Sequence, residues 1–156
     1  MITATAKSKI FIGTTAPASS VGDYDGDTWT EVKSVEDLGE FGDSAEEISF
    51  STIEDARVQK LKGIRDAGTI ELICGRDAAD AGQVKLRAAM ASDDAFNFNV
   101  RMNDAPAGGT PTEFFFKARV MGRKNVFGKG NEVVRESFTL SITSEILEVP
   151  AAAEAA

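Results

Sequence analysis

Three carboxylates at alternate positions, Asp23, Asp25 and Asp27, have the spacing of a candidate metal site. An EF-hand loop places Ca²⁺ ligands in this way, and it also needs Gly at its sixth position and Glu at its twelfth. Here those two positions hold Thr28 and Ser34. We therefore predict a solvated turn at this point of the chain and no bound metal.

The sequence contains no histidine. This excludes Ser-His-Asp and Cys-His nucleophiles, His-ligated metals and the commonest general base. The single cysteine, Cys74, excludes an internal disulfide and any multi-cysteine zinc site, and its apolar neighbours predict a buried side chain. Since no catalytic constellation is left, we predict that the protein is not an enzyme and carries no cofactor.

The net charge is −8, from 25 acidic and 17 basic residues. Proteins that grip nucleic acid neutralise phosphates with clustered Lys and Arg, so this composition argues against specific DNA binding. No apolar run approaches the roughly 20 residues that span a membrane, and the first residues lack the apolar segment of a secretory signal. We expect a protein that is made and kept in a cytoplasm-like compartment.

Opposite charges are segregated along the chain. One acidic segment contains no basic residue and comprises Glu36, Asp37, Glu40, Asp43, Glu46, Glu47, Glu54 and Asp55. A basic segment follows directly, with Arg57, Lys60, Lys62 and Arg65, and a later one holds Lys117, Arg119, Arg123, Lys124, Lys129 and Arg135. These segments are either solvated loops and strand faces or complementary surfaces between identical subunits arranged head to tail.

Short apolar runs separated by Gly, Asp and Asn predict a mainly β protein. Ile48 and Phe50 alternate with serines, which is typical of a strand with one buried side. Phe98 alternates with Asn97 and Asn99 in the same half-buried pattern. We predict an irregular loop over 35–42 and strands over 9–13, 28–33, 47–53, 68–75, 95–103, 113–122 and 132–143.

One segment is typical of a helix, over roughly 78–91. It is rich in Ala, with Ala81, Val84, Ala88 and Ala91 at helical spacing and Asp77 or Asp80 able to cap its start. The sum is a β-sandwich or partly open barrel with one flanking α-helix. We predict one domain over residues 1–149 and a mobile Ala-rich tail over 150–156.

The order of these features resembles the tail tube proteins of long-tailed bacteriophages. In that family a W-x-x-V strand, here Trp29 to Val32, precedes a strand that ends in Thr-x-x-(Asp/Glu), here Thr52 to Asp55. A G-x-x-D-x-G hinge then leads into the next strand, and its matching positions are Gly63, Asp66 and Gly68. The resemblance covers roughly residues 10–147, and the order of the short motifs carries more weight than any one of them.

The resemblance implies a structural subunit that forms hexameric rings, with strands of six copies closing a continuous barrel. The rings would stack into a tube, with residues 54–67 as an arm that reaches a neighbouring subunit. The implied partners are further copies and the tail initiator, terminator and tape-measure proteins, while DNA passes through an acidic lumen without specific binding. The implied location is the virion tail, assembled in the host bacterial cytoplasm, with no membrane contact.

Two alternatives remain on sequence grounds. The same fold builds contractile-tail tubes and the tubes of secretion systems, although the motifs fit a non-contractile tube better. A β-sandwich binding module that does not polymerise, or another virion connector protein, would also satisfy the composition. One Trp and one Tyr argue against a sugar-binding face, which usually displays several of these side chains.

Overall fold

The structure, a computed structural model, describes residues 2–153. The elements in chain order are β1 (Lys9–Ile12), α1 (Val21–Asp25), β2 (Thr30–Val32), β3 (Val35–Asp37), β4 (Ser44–Phe50), β5 (Gln59–Asp66), β6 (Thr69–Gly75), α2 (Ala81–Ala91), β7 (Phe96–Arg101), β8 (Glu113–Val126), β9 (Arg135–Ile142) and β10 (Leu147–Val149). Eight strands form one sheet in the order β2-β1-β7-β8-β9-β6-β3, with β10 paired to β8, and β4 and β5 form a separate hairpin. All pairings are antiparallel.

One hydrophobic core unites the two halves of the large sheet. Ile12 and Phe98 from the β1–β7 half lie in the same buried cluster as Leu72 and Leu140 from the β6–β9 half, together with Leu86 of α2. The sheet must therefore curve around this core, and its ends remain open. The predicted fold class, a mainly β partly open barrel with a flanking helix, is confirmed.

Helix α2 packs against β8, β2 and β1. Its buried residues are Gly82, Gln83, Leu86 and Ala89. The residues whose spacing predicted the helix (Ala81, Val84, Ala88 and Ala91) all lie on its exposed side. Small apolar residues on both sides of the helix made the buried face ambiguous in the sequence.

Gly82 permits the close approach of α2 to β2. A Cβ atom at this position would lie 2.3 Å from the backbone oxygen of Glu31 and 2.6 Å from the Cα atom of Val32. Asp80 caps the helix, since its side chain accepts a hydrogen bond from the Gln83 amide at 3.1 Å. Gln83 then donates to the carbonyl oxygens of Lys33 and Gly75, both at 3.0 Å, and joins the helix to two strands.

The predicted turn at 23–27 is wrong in part, because the chain forms the short helix α1 there. Ser20 and Asp23 make a reciprocal capping box at its start. Tyr24 is buried and stacks on Phe115 with the ring centroids 5.3 Å apart. This contact covers the outer face of β8, opposite the main core.

The prediction of a half-buried β7 is also wrong, because the strand is buried on both faces. Asn97 and Asn99 are 0% and 1% exposed. Asn97 donates to Asp27 Oδ2 at 2.7 Å, and Thr14 donates to the same carboxylate through its amide and its hydroxyl. Buried asparagine in a strand gives the same sequence alternation as exposed asparagine, so the pattern alone could not distinguish them.

Other boundaries differ from the sequence prediction. The predicted irregular loop contains β3, and the predicted arm over 54–67 contains the whole of β5. Near the carboxyl end, Ala152 forms a bridge with Thr110 through hydrogen bonds of 2.8 and 3.1 Å. Residues 154–156 of the predicted tail lie outside the described residues.

Candidate assembly surfaces

The β4–β5 hairpin is an amphipathic ribbon whose apolar face is not covered. Ile48 and Leu61 lie directly opposite each other, and Phe50 is on the same face. Their side chains are 49%, 61% and 60% exposed, respectively. The sequence prediction that Ile48 and Phe50 face a core is therefore wrong for the single chain. Gly63 packs beneath Ile48, because a Cβ atom there would lie 3.1 Å from that side chain.

The other face of the hairpin is charged. Lys62 lies opposite Glu47, and the Lys60 ammonium is 3.3 Å from the Glu47 carboxylate. Both side chains of this ion pair are more than half exposed. Part of the charge complementarity that the sequence offers between subunits is thus satisfied within one chain.

The remaining predicted interface residues are spread over several elements. Arg65 is on β5, Arg57 lies in the connection before β5, and Glu46 is on β4. Glu36 and Asp37 are on β3, with Glu40 and Asp43 in the connection that follows. Glu36 pairs with Arg135 of β9, and Asp37 accepts a hydrogen bond from the Gly39 amide at 2.7 Å. In residues 2–153, no salt bridge involves Glu40, Asp43, Glu46, Arg57, Lys62 or Arg65.

The predicted hinge divides into two parts. Gly63 lies inside β5 and not in a turn. Asp66 ends β5, and its carboxylate accepts a hydrogen bond from the Gly68 amide at 2.9 Å. Gly68 has a φ of +84°, a conformation that glycine adopts without steric cost. The turn from the hairpin into β6 is therefore built by Asp66 and Gly68.

A buried carboxylate that the sequence analysis missed lies at the other end of β6. Glu136 is 0% exposed and sits on the core side of β9. Three guanidinium groups surround it, from Arg76 at 3.1 Å, Arg87 at 3.0 Å and Arg123 at 2.6 Å. We call these three residues the arginine cluster. The only sequence signal was Glu136 itself, which occupies a position in the apolar alternation of Phe138, Leu140 and Ile142.

Charge pairing keeps Glu136 ionised. Burial raises the pKa of its carboxyl, but the hydrogen bonds and charges of Arg87 and Arg123 outweigh burial and hold the pKa below its ordinary value. Cys74 is the neighbour of Glu136 on β6. Burial and then the nearby Glu136 charge raise the pKa of the Cys74 thiol to about 12, which leaves it protonated and unreactive at neutral pH.

The carboxylates of the candidate metal site have other roles. Asp23 caps α1, and hydrogen bonds from Ser19 and Ser20 lower its pKa. Asp27 accepts four hydrogen bonds from Thr14, Thr28 and Asn97. Within the described part of the chain, no group of three acidic or cysteine side chains could hold a metal ion.

Neither helix in residues 2–153 is long and apolar enough to cross a membrane.

Two of the free edges of the eight-stranded sheet bound one layer of four strands. β7 covers β8 only up to Ala118, so the edge from Arg119 to Val126 has no strand beside it in residues 2–153. At the other end of the layer, β3 pairs with β6 alone. The four strands β8, β9, β6 and β3 thus form an antiparallel layer with an open strand at each side.

No family model and no curated protein matches the sequence. Solved structures do match in fold. A chain in the baseplate of the anti-feeding prophage is 11% identical with a TM-score of 0.67, and the match covers 96% of this chain and 97% of that one. A chain of the SPP1 tail tube is 14% identical with a TM-score of 0.64, over 94% of this chain and 78% of that one.

A chain in the virion of a native gene transfer agent particle is 12% identical with a TM-score of 0.62. That match covers 90% of this chain and 95% of the other. At these identities the likeness concerns the fold, and it extends over nearly the whole of the described chain. The protein therefore has the tail-tube fold that the order of its sequence motifs predicts.

Proposed function

We propose that this chain is a structural subunit that assembles with copies of itself into hexameric rings, which stack into a tail tube that conducts a genome. The observation that carries the proposal is the uncovered apolar face of the β4–β5 hairpin. An isolated two-stranded hairpin is at best marginally stable in water. Ile48, Phe50 and Leu61 on one face therefore favour a partner that buries them.

The free sheet edges support ring formation. Unpaired strand edges expose backbone donors and acceptors, and a closed barrel removes them. Rotation about a ring axis preserves strand direction. Because the layer has four alternating strands, β8 of one copy would meet β3 of the next in antiparallel orientation. Each copy can thus use a different edge for each neighbour, as a closed ring requires.

The uncovered face of this layer is a candidate lumen wall. It is rich in hydroxyl groups from Ser137, Thr139 and Ser141, and the Glu71 carboxylate accepts hydrogen bonds from the first two at 3.2 and 2.9 Å. Arg119 and Lys124 lie on the same face. We propose a nearly neutral, hydroxyl-lined wall in place of the acidic one that the resemblance implies.

The charged face of the hairpin would fix the register between copies. Lys62 and Arg65 of β5, and Arg57 in the connection before it, are exposed without an ion pair in residues 2–153, whereas Lys60 pairs with Glu47. The acidic residues Glu40, Asp43 and Glu46 are the corresponding candidates on a neighbouring copy. Oppositely charged patches of this kind steer association and set its register more than they add affinity.

Substituting the apolar face tests self-assembly. Ile48→Asn with Leu61→Asn should abolish rings and tubes in negative-stain electron microscopy, because the buried area between copies loses its apolar centre. The monomer should keep its circular dichroism spectrum, since neither side chain is buried in it. The matched control is Val84→Asn, a half-exposed apolar residue on α2.

Two results would contradict the proposal. Normal tubes from the double variant would remove the hairpin from the interface. A natural chain that stays a monodisperse monomer on a sizing column at all concentrations, and also with tail initiator proteins, would favour a binding module that does not polymerise.

A further inference from the structure

The arginine cluster carries more positive charge than its buried carboxylate can balance. Arg76, Arg87 and Arg123 contribute three charges, and Glu136 neutralises one of them. Arg76 and Arg87 bond the same oxygen atom of Glu136, Oε2, while Arg123 bonds Oε1. Like charges held this close repel each other, and the repulsion is stronger in a partly buried site than in bulk water. A further anion would relieve it.

Two other carboxylates near the cluster are engaged elsewhere. Asp77 is close, since its carbonyl oxygen accepts a hydrogen bond from Arg87 at 3.2 Å, but its carboxylate accepts from the backbone amide two residues later, at 2.9 Å. Asp80 accepts from the amides of Lys33 and Gln83, both at 3.1 Å. Within residues 2–153, neither carboxylate forms a salt bridge with an arginine. The excess charge of the cluster is therefore not paired within the described chain.

Several N–H donors of the cluster are free and reach solvent. Each guanidinium has five N–H donors. Arg123 uses its Nε atom on Glu136, and within residues 2–153 its two Nη atoms have no acceptor. Arg76 uses only Nη1, which is shared between Glu136 and the Asn125 side chain. Glu136 is fully buried, whereas the side chains of Arg76 and Arg123 are 34% and 32% exposed. The cluster thus has a closed side, filled by Glu136, and a solvent side with two partly free guanidinium groups.

The fold holds the guanidinium groups in place. The strand register puts Arg123 and Asn125 of β8 on the same side of the sheet as Glu136. Arg87 projects from α2, bonds Glu136 through Nε and Nη2, and donates from Nη2 to the Gln83 side chain at 3.2 Å. Donors that are already fixed lose little conformational entropy when a ligand binds. The cluster is therefore organised for binding before any ligand arrives.

We propose that the solvent side of the arginine cluster binds a free tetrahedral dianion, phosphate or sulfate, through the guanidinium groups of Arg76 and Arg123. The two residual positive charges match the charge of the dianion, and each planar fork can donate two N–H groups to its oxygens. Glu136 positions the arginines from the closed side and does not touch the anion. The net charge of −8 disfavours a polyanion such as nucleic acid at the same place. The site lies within one chain, so the inference does not depend on self-assembly.

An NMR titration of the isotopically labelled full chain tests the site without any substitution. The Nε–Hε signals of Arg76 and Arg123 should shift and reach saturation as sulfate replaces chloride at constant ionic strength. Arg101 and Arg135 are internal controls, because the Nε atom of each already pairs with a carboxylate outside the cluster. Their signals should not follow the same saturating curve.

Two results of this titration would overturn the proposal. Shifts at Arg76 and Arg123 that grow in proportion to sulfate concentration, without saturation, would reflect diffuse screening and not a site. A short single-stranded oligonucleotide separates the two sources of phosphate, and we expect it to leave both signals unchanged. Saturating shifts with the oligonucleotide, and none with inorganic phosphate or sulfate, would exclude the free dianion as the ligand.

A second measurement obtains the sulfate affinity from the rise of the unfolding midpoint with sulfate concentration. Sulfate also stabilises proteins in general, because it is excluded from their surfaces, so variants are compared with each other. Arg76→Gln with Arg123→Gln should weaken sulfate binding by about tenfold or more, since charge-assisted hydrogen bonds are lost. The matched control, Lys124→Gln with Lys129→Gln, removes the same charge outside the cluster and should keep the affinity of the natural chain. Equal rises for the two double variants would overturn the proposal.

Discussion

At the scale of single residues, Glu136 shows how a buried charge can organise a β-protein. One carboxylate accepts hydrogen bonds from side chains of three different segments: the end of β6, α2 and β8. A buried ion pair adds little net stability, but removal of one partner leaves uncompensated charge in the interior. The cluster therefore makes the relative position of these segments sensitive to a single group.

The Glu136 carboxylate predicts how the stability of the fold changes as the pH falls. Since its folded pKa lies below its ordinary value of 4.5, Glu136 contributes stability that is present above that value and is lost as the pH falls through the folded pKa. The urea midpoint should be steady from pH 7 to about 5 and fall steeply below about 4. Glu136→Gln should lower the free energy of unfolding at pH 7 by about 3 kcal/mol and flatten the acid slope.

Glu71→Gln is the control, because this carboxylate is exposed and bonds only to two hydroxyl groups. It should change the free energy of unfolding by less than about 0.5 kcal/mol. An acid slope of Glu136→Gln equal to that of the natural chain would mean that other carboxylates cause the acid unfolding. Asp27 and Asp104, whose pKa values also lie below the ordinary range, would then be the candidates.

Sequence alone could not identify this cluster. A single Glu at an inward strand position, such as Glu136, has the same sequence pattern as a solvated Glu until its partners are known. Arg76 and Arg123 meet Glu136 through the pairing of β6 and β8 with β9, and the packing of helix α2 brings Arg87 to the same carboxylate. By contrast, the burial of Cys74 is confirmed, because its apolar neighbours constrain one short strand.

At the scale of elements, helix α2 shows a conflict between intrinsic propensity and packing. Glycine in a helix costs about 1 kcal/mol relative to alanine, so propensity alone predicts that Gly82→Ala is stabilising. The backbone of β2 occupies the space that the new methyl group needs. Contact with backbone atoms cannot be relieved by a side-chain rotation, and overpacking of this kind costs about 1 to 3 kcal/mol.

We therefore expect Gly82→Ala to lower the urea midpoint. The control, Ala88→Gly, lies on the exposed side of the same helix and should cost about 1 kcal/mol by propensity. A stabilised Gly82→Ala variant would mean that α2 can move away from β2 at little cost. The Gln83 bonds to Lys33 and Gly75 would then be the first contacts to re-examine.

The positions of elements with a clear helical or alternating apolar pattern were predicted well. Helix α2 begins at Ala81 and ends at Ala91, close to the predicted range, and β9 follows the predicted alternation of Phe138, Leu140 and Ile142. Which face of a strand or helix is buried was harder to predict, because burial depends on the element that packs against it. Ile48 and Phe50 have the period of a buried strand, yet within one chain nothing covers them. Apolar alternation on an exposed strand is expected where a second copy of the chain buries that surface.

At the scale of the whole molecule, the order of short motifs was more informative than any one of them. It predicted the fold that the solved structures share at 11 to 14% identity. Identity that low leaves few specific side chains in common, so the fold must be maintained by alternation, turn residues and core volume. The free edges of the sheet could not be predicted, because they depend on where β7 ends beside β8.

Ring closure through these edges can be tested with cysteines. Glu36 on β3 and Met121 on β8 lie at the two open sides of the layer. Glu36→Cys with Met121→Cys should give disulfide-linked chains under oxidation, with Arg119→Cys and Lys124→Cys as alternatives to Met121→Cys if the register is shifted. Cys74 should not interfere, because burial keeps its thiol protonated.

On a non-reducing gel, a hexameric ring should give a ladder that ends at the sixth band. The control, Ala88→Cys with Met121→Cys, places one thiol on the exposed side of α2 and should give no ladder. A ladder that continues without end would indicate an open helix of subunits. Its absence for all three β8 positions would exclude the proposed edge contact.

The uncovered hairpin also has a consequence for the kinetics of growth. If β4 and β5 become fully ordered only against a neighbour, the first encounter between copies must include the entropic cost of that ordering. Later copies would meet a hairpin that is already held in place, so each addition would be easier than the first. Growth would then show a lag and seeding by preformed ends. Under such conditions the number and length of the filaments are decided by whatever supplies the first template, and free subunits persist above the concentration at which filaments are stable.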